Sequence, residues 1–185
     1  MKVISGILKG RKIKGYNIVG TRPTMDRVKE SIFSMIQDKI KDSIVLDLFA
    51  GSGTYGIECI SNYAKLVYFN DHNKESIKVI KSNLEKFNIR DKSIITNLDY
   101  LKCLNTINQR FDLVFLDPPY KLHVISDILN KLQTNNLLNQ DALVICEFQD
   151  DKLNDNYLNL VKIKEKKYGE KYVYIYKLKG FYEIK

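Results

Sequence analysis

A chain of 185 residues with 44% hydrophobic and 28% charged content can close a sizeable core and is too apolar to stay disordered. Its net charge of +8 favours a polyanionic partner. No apolar run approaches the roughly 20 residues of a membrane span and no signal-peptide pattern is present, so the expectation is a cytoplasmic protein without membrane contact.

The charge is segregated. Residues 1–41 hold ten cations against three carboxylates, Asp26, Glu30 and Asp38, a net of +7. A basic end of this kind attracts nucleic acid. Val3–Leu8 and Ile13–Ile18 flank Lys9, Gly10, Arg11 and Lys12, which predicts a basic β-hairpin. Arg22-Pro23 ends the extended run, with Thr24 as a plausible N-cap. Val28, Ile32, Met35, Ile36 and Ile40 then recur at helical spacing, predicting an amphipathic helix over 25–40 whose polar side carries Arg27 and Lys29.

Beyond it, apolar strands and helices alternate: strand 43–49, helix 56–63, strand 66–70, a helix capped by Asn73, strand 93–96, helix 100–107, strand 111–116, helix 124–132 and strand 142–148. Ile77, Ile80, Leu84 and Phe87 form the inner face of the Asn73-capped helix. Strands apolar throughout and separated by helices form a parallel sheet covered on both faces. The end differs, because 157–166 and 172–178 read as an antiparallel pair around Tyr168-Gly169-Glu170. The expected architecture is α/β: one doubly wound, mostly parallel, seven-stranded Rossmann-like sheet ending in an antiparallel hairpin. A single domain would fill 1–185, with a basic extension over 1–41, a catalytic core over 42–179 and a tail over 180–185. Cys59, Cys103 and Cys146 are odd in number and far apart, and His72 and His123 have no Cys or His nearby. Reduced, buried thiols and no metal site are therefore expected.

Two segments carry chemistry. Gly51-Ser-Gly-Thr-Tyr-Gly56 closes the first strand, and Asp71 ends the second. That is the pattern of a loop whose glycines admit a nucleotide cofactor and of an acid that accepts ribose hydroxyls. The spacing alone suits NAD as well as S-adenosylmethionine. Asp47, inside the strand before the loop, favours the second, since a carboxylate suits the cofactor's ammonium and not a pyrophosphate. Asp99 could accept from an adenine amino group while Tyr100 or Leu98 covers the ring.

The second segment is Asp117-Pro118-Pro119-Tyr120, closing the strand over 111–116 at the same sheet edge. An exocyclic aromatic amine is a weak nucleophile because its lone pair is delocalised. Accepting its hydrogens on the Asp117 carboxylate and the Pro118 carbonyl would turn the lone pair toward a methyl donor. The prolines fix φ so that this carbonyl faces outward, and Tyr120 can stack on the base. Cysteine nucleophiles lack a partner base.

Together with Val3-Ile-Ser-Gly6, Gly10-Arg-Lys-Ile13, the Arg22-Pro-Thr-x-Asp-Arg-Val-Lys-Glu30 segment and Tyr168-Gly-Glu170, these motifs resemble the bacterial small-subunit rRNA guanine-N2 methyltransferases over roughly residues 1–178. The resemblance implies a class I methyltransferase sheet, S-adenosylmethionine as donor, and N2 of one guanine in 16S rRNA as acceptor, presented in an assembly particle. The cofactor-binding set it implies is Asp47, Phe49, Ala50, Gly51, Gly53, Asp71, His72, Asp99 and Tyr100. Asp117, Pro118, Pro119 and Tyr120 would act on the base, and Lys9, Arg11, Lys12, Arg22 and Arg27 would bind RNA. Thr24 and Asp26 would approach the site within the N-terminal motif. Two departures stand out: Asn73 where an acid often sits, and Lys29 where arginine is frequent, which gives up a planar bidentate donor. A DNA adenine-N6 methyltransferase suits the same clamp, but the chain has little beyond one hairpin and one helix for flipping a duplex base. An NAD-dependent oxidoreductase leaves Asp117–Tyr120 idle, and a non-catalytic rRNA-binding protein would have no use for it. A monomer is the default.

Overall fold

The computed structural model describes residues 1–15, 23–149 and 152–180, without the side chains of residues 23–25. Its parallel strands are β1 (Ile44–Asp47), β2 (Leu66–Asn70), β3 (Ser93–Thr96), β4 (Phe111–Leu116) and β5 (Leu138–Phe148). An antiparallel run follows: β6 (Asn156–Tyr157), β7 (Leu160–Tyr168) and β8 (Lys171–Leu178). The spatial order β3-β2-β1-β4-β5-β8-β7-β6 puts a topological switch point at β1, flanked by β2 on one side and β4 on the other. Open α/β sheets bind ligands beyond the strand ends at such a point.

Alternation along the strands divides the core into two layers. Val45, Val67, Phe69, Leu113, Phe115 and Ile145 face α1 (Pro23–Ile36), α2 (Thr54–Ser61) and α3 (Lys74–Lys86). Leu46, Val114, Leu116, Val144, Cys146 and Tyr176 face α4 (Tyr100–Thr106) and α5 (Ile125–Thr134). Asn73 caps α3 as expected, its side chain accepting from the Glu75 amide at 2.8 Å. The three cysteines are free and buried, and burial raises each thiol's pKa, Cys103 to about 11.

The eighth strand is a departure from seven. Leu158 takes φ 52 and turns the chain between β6 and β7, so 157–166 is not one strand. At the N-terminus the expected hairpin reduces to a single antiparallel bridge, Lys2 with Lys12, around a 3-10 turn at Gly6–Leu8. Residues 16–18 of its second arm lie outside the described residues. The helix expected over 25–40 begins at Pro23 and ends at Ile36, followed by a 3-10 turn at Gln37–Lys39. Thr24 therefore lies inside the helix, at its second residue, and not at the flanking N-cap position. Proline is well suited to a first helical turn, where its missing N–H costs nothing.

The N-terminal segment packs as part of the core, with Val3, Leu8 and Ile13 buried. Glu58 on α2, fully buried, accepts from the amides of Ile4 (2.9 Å) and Ser5 (2.8 Å). Lys29 is only 2% exposed, contrary to its expected place on a polar face. Its ammonium donates to the Lys2 carbonyl (2.8 Å) and to Thr54 Oγ1 (3.3 Å), and lies 3.5 Å from Glu58 Oε2. Burial lowers the Lys29 pKa despite Glu58. Asn83 on α3 ties the segment to the glycine loop, accepting from the Lys14 amide (2.8 Å) and donating to the Ser52 carbonyl (3.1 Å).

Candidate active site

A cleft of about 410 Å³ opens at the switch point. The loop after β1 forms one side of it through Phe49, Ala50, Gly51 and Ser52, with Asp71 and His72 beyond β2. Asp117, Pro118, Pro119 and Tyr120, after β4, form the opposite side. The two motifs, far apart in sequence, thus share one cavity.

The loop geometry follows from its glycines. Gly51 has φ +55 and a Cβ there would meet nothing within 4 Å, so bare backbone faces open space. Gly56 serves packing instead, since a Cβ would stand 2.2 Å from the Phe69 ring. Gly53, with φ +79, sits against Ile80 and Phe69 and is not part of the cleft lining. Asp71 braces the loop: its Oδ2 accepts from the Gly51 amide and its Oδ1 from the Asn73 amide, both at 2.8 Å. An ionised carboxylate has about four acceptor positions, so lone pairs remain for vicinal hydroxyls. His72 is exposed, with Nδ1 3.6 Å from Asp71 Oδ1.

Besides Gly53, three expected cofactor residues lie outside the cleft lining. Asp47 is buried behind the loop and accepts from the Gly56 amide at 3.2 Å, near the start of α2. Burial, with Asp71 adding repulsion, raises its pKa to about 7 against the hydrogen bond from Gly56. It is not among the residues that line the cleft, and its Oδ2 faces the first turn of α2. Asp99 is exposed and caps α4 through the Leu101 amide at 2.9 Å. Tyr100 packs on Phe49, ring centroids 5.7 Å apart, and reaches the cleft only through that ring.

The Asp117 side holds residues that the motifs did not single out. Glu147, 5% exposed near the end of β5, lines the cleft. Tyr55 on α2 donates to its Oε2 and Lys171 on β8 donates to its Oε1. Tyr55 itself stacks on Phe115, with centroids 5.0 Å apart. Burial and then Glu147 push the Asp117 carboxyl well above the ordinary carboxylate range, while Lys171 pulls it down. Burial disfavours the Lys171 ammonium, yet its pairing with Glu147 outweighs this and raises its pKa. Lys171 also approaches the Tyr120 ring, 5.5 Å from its centroid. Lys29, Thr54, Met1 and Gly15 complete the cleft toward the N-terminal segment. A charged residue inside an apolar strand, as in Val-Ile-Cys-Glu147-Phe, was the available signal for Glu147.

Of the expected RNA-binding residues, Lys9, Arg11, Lys12 and Arg27 are exposed, and Arg22 lies outside the described residues. Arg11 is partly occupied, its guanidinium 4.7 Å from the Phe87 centroid and donating to the Lys86 carbonyl at 3.1 Å. Among the described residues no cluster of metal-ligating side chains occurs, and no helix is long and apolar enough to cross a membrane.

The family model described as "Conserved hypothetical protein 95" matches residues 1–177. YlbH of Bacillus subtilis, named as a candidate rRNA methyltransferase, is 36% identical over 184 residues, covering 97% of this chain and 100% of that protein. "Ribosomal RNA small subunit methyltransferase D" of Haemophilus influenzae is 38% identical over 174 residues, covering 91% of this chain and 89% of the relative. Among solved structures, yhhF of Escherichia coli, described as a candidate methyltransferase, superposes with a TM-score of 0.87 at 27% identity. That match covers 97% of this chain and 98% of the other.

Proposed function

The chain belongs to the family described as Conserved hypothetical protein 95, and on that premise we propose that it methylates N2 of a guanine in small-subunit rRNA, using S-adenosylmethionine. The observation that carries the reading is the cleft shared by the glycine loop, Asp71 and Asp117–Tyr120. Relatives named as small-subunit rRNA methyltransferases support the substrate class.

The cofactor fits the residues present. Gly51 offers backbone without a side chain, Phe49 an apolar ring, and Asp71 free lone pairs beside them. When bound, S-adenosylmethionine supplies an activated methyl group on a sulfonium. The chain's own part is to orient and desolvate. Asp117 and the Pro118 carbonyl accept the two N2 hydrogens and turn the lone pair toward the methyl group, while Tyr120 covers the base. Once the amine is methylated it carries an extra proton. Asp117, its proton affinity raised by burial and Glu147, takes that proton.

Tritium transfer from labelled S-adenosylmethionine onto small-subunit assembly particles and onto duplex DNA tests the reading. Label in particle rRNA, recovered as N2-methylguanosine, is the expected result. Label in DNA with silent particles would overturn it in favour of adenine-N6 chemistry.

A further inference from the structure

The mechanism above uses Glu147 only through its effect on Asp117 and gives it no contact with the base, although this nearly buried carboxylate lines the reacting side of the cleft. β4 and β5 pair in parallel with Phe115 opposite Ile145 and Leu116 opposite Cys146. Asp117 and Glu147 each follow one step beyond the last of these pairs, so strand parity sends both side chains toward the same face. Both line the cleft. Glu147 is gripped from two elements, Oε2 by the Tyr55 hydroxyl of α2 and Oε1 by the Lys171 ammonium of β8. Each oxygen therefore receives one donor, and a carboxylate with about four acceptor positions keeps others for a group in the cavity. Burying such an ion pair contributes little net stability, because desolvation offsets the attraction. The fold alone gives it no purpose.

Two acceptors side by side match one purine edge. Guanine presents N1–H next to N2–H₂, two adjacent donors. Adenine presents N6–H₂ next to N1, a donor beside an acceptor. We propose that Glu147 is a specificity-determining residue that accepts the N1–H of the target guanine while Asp117 accepts from N2, with Tyr55 and Lys171 as its positioning residues. The proposal rests on the guanine-N2 reading and deepens it. An adenine in the same pose sets its N1 lone pair against the carboxylate, and a buried acceptor facing an acceptor is strongly rejected.

2-Aminopurine keeps the 2-amino group, replaces N1–H with a bare acceptor and lacks O6. Comparing the parent with a Glu147 variant separates the N1 contact from the loss of O6, which affects both proteins alike. Small-subunit particles are reconstituted with rRNA carrying either guanosine or 2-aminopurine riboside at the methylated position. Transfer is measured for the parent enzyme and for Glu147→Gln, whose amide can donate to N1. The parent should favour guanosine by at least about 100-fold in kcat/KM, and Glu147→Gln should narrow that ratio at least about tenfold, with unchanged affinity for S-adenosylhomocysteine. A structural role would lower both rates together and leave the ratio intact. A parent ratio near one overturns the proposal whatever the variant's stability, as does an unchanged ratio in a folded Glu147→Gln. If the parent enzyme leaves the guanosine particle unmethylated, the guanine-N2 reading itself falls and takes this proposal with it.

Discussion

Asp71 and Asp117 reach the cleft from strands on opposite sides of β1, and removing each should fail differently. Asp117→Ala should abolish transfer while calorimetry with S-adenosylhomocysteine finds cofactor affinity nearly unchanged. Asp71→Ala should weaken that affinity by about 1–3 kcal/mol, the scale of a hydrogen bond to a charged group. Equal loss of both properties in Asp117→Ala would make that residue structural. Asp47 has a different signature. Its folded carboxyl titrates near a pKa of about 7 against an ordinary value of 3.8. Between those values the folded state holds more protons than the unfolded chain, so this group's contribution to stability falls as pH rises through the window. Asp47→Asn should therefore melt above the parent at about pH 8, by up to about 4 kcal/mol, with the gap closing toward about pH 4. A gap that widens in acid would show the carboxylate to be stabilising. Asp71 and Asp117 were legible at this scale because each ends an apolar strand beside a recognisable motif. Glu147 showed only as a charge within an apolar strand, and its role was not legible, since that depends on a neighbouring strand and on donors from α2 and β8.

The N-terminal segment holds its place through backbone groups bonded to Glu58 and Ser61 of α2. Gly6 makes that approach possible, with φ +75 and a hypothetical Cβ 1.9 Å from the Ser61 carbonyl oxygen. Gly6→Ala should cost about 2–4 kcal/mol, combining left-handed strain with a backbone clash. Denaturant melts of the two proteins measure it; an unchanged midpoint would mean the segment is loosely held. Such contacts join residues more than fifty positions apart, which is why local pattern suggested a hairpin and the fold made a 3-10 turn. Lys29 is the opposite case. It falls on the stripe of Ile32, Phe33 and Ile36, so helical periodicity placed it inward while its charge argued for the surface. Glu58 decides the matter by supplying a buried partner. Strands 66–70, 93–96 and 111–116 came out at their expected bounds because each is short, apolar and bounded by turn residues.

Across the whole molecule, the charge of +8 is concentrated in the N-terminal segment, which also contributes Met1, Gly15 and Lys29 to the cleft. Lys9 and Lys12 are exposed on that segment. Reversing both to glutamate should weaken RNA binding and flatten the slope of log affinity against log salt by about one to two contacts. Cofactor affinity should stay put. Filter binding over a salt series reads this, and an unaltered slope would place the RNA on another face. The alternation of strands and helices foretold the doubly wound sheet and the cavity at its switch point. The mutual placement of β5 and β8, which brings Glu147 and Lys171 to that cavity, depends on antiparallel pairing that no local pattern encodes.

The most direct measurement is mass mapping of methyl groups on small-subunit rRNA from cells with and without this gene. The proposed activity requires one N2-methylguanosine that disappears with the gene, returns with the intact chain and stays absent with Asp117→Ala. Identical maps from the two strains, or a lost methyl on any atom other than a guanine N2, would contradict it.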